Sequence, residues 1–430
     1  MITQPPINEL ALLSDRNTCA ALDKQGTIHW YCPNRFDSEA ILSSLIDSQQ
    51  GGFWQITILN SQYKNRFYTD RSSVLQTVFT TPAGDIEICD FMPMETTDSG
   101  ILRSFSEVPT QLVSKLKIAG NYGLEQEKAV QINSFTVYFE STRQYLYCSS
   151  PVKIIAADTV AFTLDKGATG WAYLTKTHLN RADFDVAQRL NNTLNEWRKT
   201  AAHFKYEGLF KDDVISSIRA IQQVSCGVTG GVLAAATMAL PEVIGGGRNY
   251  DYRYVWVRDA ALITGALSVL DVDGKMEFKF LDFLDKAMHH QQEQCIYPLY
   301  TIDRKTIKQL QKLPLAGYKN SQPVQTGNVA SNQLQLDAAA NVLISCKVIY
   351  DKYQEYPHWE TVKRVANYIC QNWEKPDNGI WEEGAELHYT SGKVFCAIGL
   401  EMIAAYNQNP QEAAYWLEIA KTIRKYVHKN

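Results

Sequence analysis

The hydrophobic period of this chain changes once, near residue 185, and that change commits it to a β part followed by an α part. Before it, short β-rich runs alternate with turn chemistry. Residues 18–22 and 27–32 flank Lys24-Gln25-Gly26, and 74–81 and 86–91 flank Pro82-Ala83-Gly84-Asp85. Further strand-like runs lie at 134–139, 144–148, 160–164 and 170–174, a pattern that predicts an antiparallel β-sandwich. After residue 185, apolar residues recur at helical spacing. Val214, Ile218, Ile221 and Val224 share one face of 213–224, and Val362, Val365, Ala366, Ile369 and Trp373 share one face of 359–373. Trp416, Leu417, Ala420, Ile423 and Val427 repeat the pattern in 413–427. Residues 1–184 are therefore expected to form the sandwich, 185–210 a linking helix region, and 211–430 an all-α domain. Loops long enough to suggest a function interrupt the last part at 241–258, 295–330 and 374–390.

Composition narrows the function classes. The chain has 430 residues, 45% of them hydrophobic, enough for cores in roughly two or three domains. A net charge of -4 without any Lys/Arg cluster argues against a nucleic-acid partner. No apolar run is long enough to span a bilayer, so no membrane partner is expected. The nine cysteines are scattered, never spaced C-x-x-C, and several sit in apolar runs, which predicts buried free thiols and a reducing compartment. The eight histidines show no metal-ligand spacing, so no metal is expected. The opening residues lack the basic and apolar regions of a secretory signal, which makes the cytoplasm the default location and leaves only signal-independent export.

Three segments carry chemistry. Gly245-Gly246-Gly247 leads into a dense run of Arg, Asp, Asn and aromatic residues from Arg248 to Asp259, ahead of a helix expected at about Ala260. Asp259 alone reads as an N-cap or first-turn helix carboxylate. With Arg258 it also supplies donors and acceptors for vicinal sugar hydroxyls, while Tyr252 and Trp256 supply rings for an apolar sugar face. The second segment is Gly379-Ile380-Trp381-Glu382-Glu383. On a helix surface a Glu pair is an ordinary solvated face; beside a like charge and a desolvating Trp381, one carboxyl is expected to stay protonated as a general acid. The third runs from Leu315 through Asn328 to Gln333-Leu334-Gln335-Leu336-Asp337, where Gln333 and Asp337 fall on one helical face.

These blocks, in this order, resemble glycoside hydrolase family 15, which includes glucoamylases, glucodextranases and bacterial trehalases. The resemblance covers most of the chain and is weak from about 105 to 190. It implies a β-sandwich followed by an α/α-barrel of six helical hairpins. It also implies that Arg258 and Asp259 hold the terminal glucose, that Glu382 protonates the glycosidic oxygen, and that Glu383 contacts substrate. Gln325 stands where the family pattern has Arg. No cofactor is implied. The family's second catalytic Glu lies in the last part of the barrel. At roughly 25–35 residues per helix and connection, 211–430 holds about seven or eight helices. The barrel is therefore expected to be incomplete and to lack the usual base. The resulting expectation is an inverting exo-hydrolase of α-glucan ends that releases β-glucose. The alternatives are a trehalase of the same family and a non-catalytic glucan-binding relative.

Overall fold

A computed structural model describes residues 2–94, 99–289, 296–307, 309–382 and 385–429. Its amino-terminal part contains fifteen strands among the described residues. One sheet is built from β1 (Ala11–Ser14), β2 (Cys19–Leu22), β3 (Ile28–Tyr31), β4 (Phe53–Ile58), β9 (Leu112–Lys117), β14 (Thr159–Leu164) and β13 (Val152–Ala156), in that spatial order. The other runs β10 (Ala129–Asn133), β11 (Thr136–Phe139), β12 (Gln144–Cys148), β15 (Gly170–Thr175), β8 (Gly100–Phe105), β7 (Gly84–Phe91), β6 (Leu75–Thr81) and β5 (Gln62–Tyr68). All pairings within both sheets are antiparallel.

Period-2 alternation turns one face of each sheet inward, as in β9, where Leu112, Ser114 and Leu116 are buried and the residues between them are not. Trp54, Ile56 and Leu116 from the first sheet meet Ile88, Ile101 and Phe105 from the second in one core. Within this core Arg103 and Asp90 form a fully buried ion pair at 2.8 Å. Arg103 also donates to Trp54 O and Gly26 O, which joins the two sheets through satisfied donors.

The hairpin expected around Pro82 closes tightly, with Thr81 paired to Gly84. Strands β1, β4, β5, β8, β9, β10 and β13 were not read from the sequence; in β5 and β13 exposed residues break the apolar alternation.

Eight α-helices follow among the described residues: α1 (Val186–Ala201), α2 (Lys211–Gln223), α3 (Val257–Ser268), α4 (Lys275–His289), α5 (Leu336–Tyr353), α6 (Trp359–Asn372), α7 (Thr390–Ala404) and α8 (Pro410–Lys429). Asp185 caps α1, its carboxylate accepting from Gln188 N at 2.9 Å. The apolar stripe of α6 is buried as its spacing predicts, Val362, Val365, Ala366 and Ile369 each being 1% exposed or less. On α8, Trp416, Ala420 and Ile423 face the core, but Leu417 does not and is 47% exposed. Two further sequence readings need correction. Helix α3 starts at Val257, earlier than expected, so of the two places open to Asp259, N-cap or first turn, it takes the first turn. Helix α5 starts at Leu336, so Gln333 precedes it and shares no helical face with Asp337.

Helices α3, α5 and α7 stand side by side and run parallel. Asp337 meets Arg258 near their starts, Ser345 Oγ donates to Ala261 O at 2.7 Å farther along, and Lys352 reaches Ser268 O at the far end. Cys396 of α7 lies likewise against Leu336 O of α5. Helices α4, α6 and α8 are the return halves of these hairpins. Three helix starts therefore gather on one side of the α part, where each N-terminal dipole end favours negative charge. The eight described cysteines are free and buried. Among the described residues, no helix is long and apolar enough to cross a membrane.

Candidate active site

The segment before α3 is anchored before it is functional. Asp251 and Arg253 form a buried two-point ion pair, with Nε to Oδ1 at 2.9 Å and Nη2 to Oδ2 at 2.8 Å. Arg253 also donates to Ser38 O and to the Tyr122 hydroxyl of the β part. Two of the motif's most polar residues thus bind the helical part to the sandwich side. A short ribbon, β16 (Val255–Trp256) against β17 (Leu299–Tyr300), then runs straight into α3 and sets the direction of Arg258 and Asp259.

Arg258 spreads its donors over four acceptors. Nε donates to Asp259 Oδ1 at 3.2 Å, Nη1 to Gln335 Oε1 at 3.3 Å and Asp337 Oδ2 at 3.5 Å, and Nη2 to Glu382 Oε1 at 3.4 Å. Burial works against its charge, and Asp337, Asp259 and Glu382 outweigh this to raise its pKa. Burial raises the pKa of both Asp259 and Asp337, with Arg258 opposing the shift in each. Arg258 is 8% exposed, so it works mainly beneath the carboxylates; the Asp259 side chain is more open at 38%.

Glu382 arrives on a loop pinned to the start of α5. Asp377 bridges Leu387 across the loop, Asn378 N donates to Leu334 O at 2.9 Å, and Leu336 N donates to Asp377 Oδ2 at 3.3 Å. Glu382 itself has φ of 58°, a left-handed conformation that costs a non-glycine residue roughly 1–3 kcal/mol. Three donors converge on its Oε1: Gln335 Nε2 at 2.9 Å, Trp256 Nε1 at 3.1 Å and Arg258 Nη2. This arrangement fixes one oxygen and, among the described residues, leaves Oε2 without a hydrogen bond.

The two tryptophans take places opposite to those expected. Trp381 is 79% exposed and so does not desolvate Glu382; it stands at the rim. Trp256 is 1% exposed and forms the buried floor under the carboxylate, its N–H aimed at Glu382 rather than its ring at a ligand. Tyr252 packs on Trp256 with ring centroids 5.3 Å apart and stays partly exposed. Glu383 lies outside the described residues.

Of the expected site residues, Tyr252, Trp381 and Glu382 line a polar pocket of about 80 Å³, together with Glu242, Arg248, Tyr250, Asn328 and Gln333, while Arg258, Asp259 and Trp256 stand behind Glu382 and do not line it. Carboxylates, amides and aromatic rings surround one small space, the donor, acceptor and stacking set that a sugar ring needs. Gln325 is buried in a two-strand ribbon opposite Lys312 and does not line this pocket.

Sequence reasoning passed over Gln335, which joins Arg258 to Glu382 and also donates to Gln333 Oε1 at 2.9 Å. The available signal was its i+2 spacing from Gln333, which in extended chain places both amides on one side.

Residues 209–430 match the family described as "Glycosyl hydrolases family 15", and residues 2–113 match "Trehalase-like, N-terminal". A protein named Trehalase from Thermoplasma acidophilum is 29% identical over 86% of this chain and 66% of its own length. Trehalase 1 from Sulfolobus acidocaldarius is 29% identical over 89% of this chain and 68% of its own. Trehalase from Mycobacterium tuberculosis is 26% identical, covering 98% of this chain and 68% of its own. The chain thus spans about two thirds of the length of these relatives. A crystal structure of bacterial glucoamylase complexed with acarbose shares the fold with a TM-score of 0.66 at 15% identity, over 96% of this chain and 66% of the other.

Proposed function

The chain belongs to glycosyl hydrolases family 15, and from that premise we propose that it serves hydrolysis of α,α-trehalose, with Glu382 as the proton donor. The observation that carries this reading is the Glu382 carboxylate held by Gln335, Trp256 and Arg258 at the wall of a small polar pocket. Preference for trehalose over the α-glucan ends expected from the sequence is supported by relatives that bear the name trehalase.

In the proposed reaction Glu382 delivers a proton to the bridging oxygen as the C1–O bond breaks. Asp259, beside the acid and partly open, accepts from sugar hydroxyls. Arg258 balances the cluster of negative charge and holds Asp259, Asp337 and Glu382 in register. Tyr252 and Trp381 offer ring faces at the rim. Water attacks C1 from the opposite face of the ring; its proton passes to bulk solvent, which restores the proton that Glu382 has given up. With inversion, one glucose leaves as the β anomer and the other keeps its α configuration.

Glucose release by the full chain from trehalose, maltose and starch, with anomers followed by proton NMR, tests this reading. The expected result is turnover of trehalose with equal initial α- and β-glucose, reduced at least about 10³-fold by Glu382→Gln with binding retained. Faster turnover of maltose or starch would return the reading to a glucoamylase. Sugar binding without turnover in the unaltered chain would make it a sugar-binding protein.

A further inference from the structure

The three glycines before Arg248 shape a loop to which the proposed reaction gives no part. Met238 pairs with Asp251 in an isolated antiparallel bridge, and Ala239 N donates to Tyr250 O at 2.9 Å. The two arms then run side by side, so that Glu242 N reaches Arg248 O at 3.4 Å. A turn closes the tip, where Gly246 N donates to Val243 O at 2.8 Å and Gly245 has φ of 81°. Ser321 Oγ accepts from Gly245 N at 2.9 Å and ties the tip down. The arms thus present Glu242 and Arg248 together on the pocket wall.

These two side chains meet loosely. Arg248 Nη1 lies 3.5 Å from Glu242 Oε2, and the side chains are 58% and 51% exposed. So open a pair contributes little to stability. Among the described residues the Glu242 carboxylate accepts no hydrogen bond, and the Tyr252 hydroxyl on the same wall makes none. Burial, and then the charges of Glu382 and Glu242, raise the pKa of Tyr252, so its phenol stands in the field of both carboxylates. The pocket therefore offers acceptors from Glu242 and Glu382, a donor from Tyr252 and the Arg248 guanidinium. The charges of Glu242 and Arg248 cancel, which suits a neutral polyhydroxy ring and disfavours an ionised ligand.

Glu382 decides which ring enters. It lines the pocket, whereas Asp259, which accepts from the terminal glucose in the proposed reaction, does not. A proton donor sits beside the bridging oxygen and so stands between the two sugars it separates. Resting on that reading of Glu382, we propose that the pocket receives the leaving glucose, and that Glu242 and Arg248 hold two neighbouring hydroxyls of that ring. The carboxylate accepts from one hydroxyl while the guanidinium donates to the other. The pair then selects among disaccharides. A ring joined through C1 carries its C2 hydroxyl beside the bridge, and one joined through C4 carries its C3 hydroxyl there.

The test is calorimetry on the full chain carrying Glu382→Gln, which stops turnover, with trehalose, maltose and methyl α-glucoside, the last lacking a second ring. Trehalose is expected to bind at least about tenfold tighter than methyl α-glucoside. Adding Glu242→Gln or Arg248→Gln, both at exposed positions, should erase most of that advantage while methyl α-glucoside still binds. An advantage that survives both substitutions overturns the assignment, as does the absence of any advantage for either disaccharide. Loss of methyl α-glucoside binding in step with trehalose also overturns it, since the pair would then only support the loop. An advantage for maltose in place of trehalose, erased by the same substitutions, keeps Glu242 and Arg248 at the leaving ring and sinks only the trehalose reading.

Discussion

Arg258 Nη2 stands 3.4 Å from Glu382 Oε1 although 124 positions separate the two residues. The same guanidinium holds Asp259 and Asp337, so a single cation at the start of α3 organises three carboxylates. That relationship makes the pocket a preorganised unit, and it can be tested at each of its supports.

Arg258→Lys keeps the charge and loses the planar fork that reaches four acceptors. The expected outcome is a fall in kcat/KM for trehalose of about 10²-fold, most of it in kcat, with an unchanged circular dichroism spectrum. An unaltered kcat would show that the guanidinium does not organise the reacting groups.

Gln335 acts through Glu382 and is therefore a positioning residue. Gln335→Leu removes one of three donors to Oε1, and kcat is expected to drop about tenfold with KM nearly unchanged. Gln335→Glu places a second carboxylate against the first, so the acid–base profile of kcat should move to higher pH. A profile that stays in place in Gln335→Glu would assign Gln335 to packing alone.

Gly379 has φ of 62°, and a Cβ there would lie 2.7 Å from the Tyr389 ring. Gly379→Ala is expected to lower stability by roughly 1–3 kcal/mol and to displace the loop that carries Glu382. Activity should fall by more than the loss of folded protein explains, measured as turnover per folded molecule from a parallel melting curve.

Asp303 links the two parts of the chain through Arg35 at 2.9 Å and pairs with Lys305 at 2.8 Å. Burial opposes its ionisation, but hydrogen bonds from Lys305 and Thr301 and the charge of Arg35 bring its pKa down to about 2. The depressed value means the stabilisation is fully present above the unfolded pKa near 3.8 and disappears as pH falls through about 2. Allowing for partial exposure, Asp303→Asn should cost roughly 1 kcal/mol at pH 7. In urea unfolding the difference from the unaltered chain should shrink steadily between pH 4 and pH 2; a constant difference would deny the link to ionisation.

Period carried the fold into view. The stripe on α6 and the hairpin around Pro82 were legible because burial on one side repeats at 3.6 or 2 residues, whatever the partner. Strand β5 escaped because it is largely exposed, so its sequence carries little burial signal. At the site, Arg258-Asp259 and Trp381-Glu382 stood out because charged and aromatic residues are dense there. Gln335 did not, since a neutral amide in Gln-Leu-Gln-Leu reads as ordinary alternation.

By itself the sequence determined the order of β and α parts and the apolar faces of the helices. Each of these follows from local spacing and side-chain chemistry. Only the tertiary structure decided that Trp256 lies beneath Glu382 while Trp381 stands in the open, and that Asp251 and Arg253 serve as an anchor. Burial and pairing depend on which distant segment covers a residue, and in this chain the parallel packing of α3, α5 and α7 sets that for the pocket.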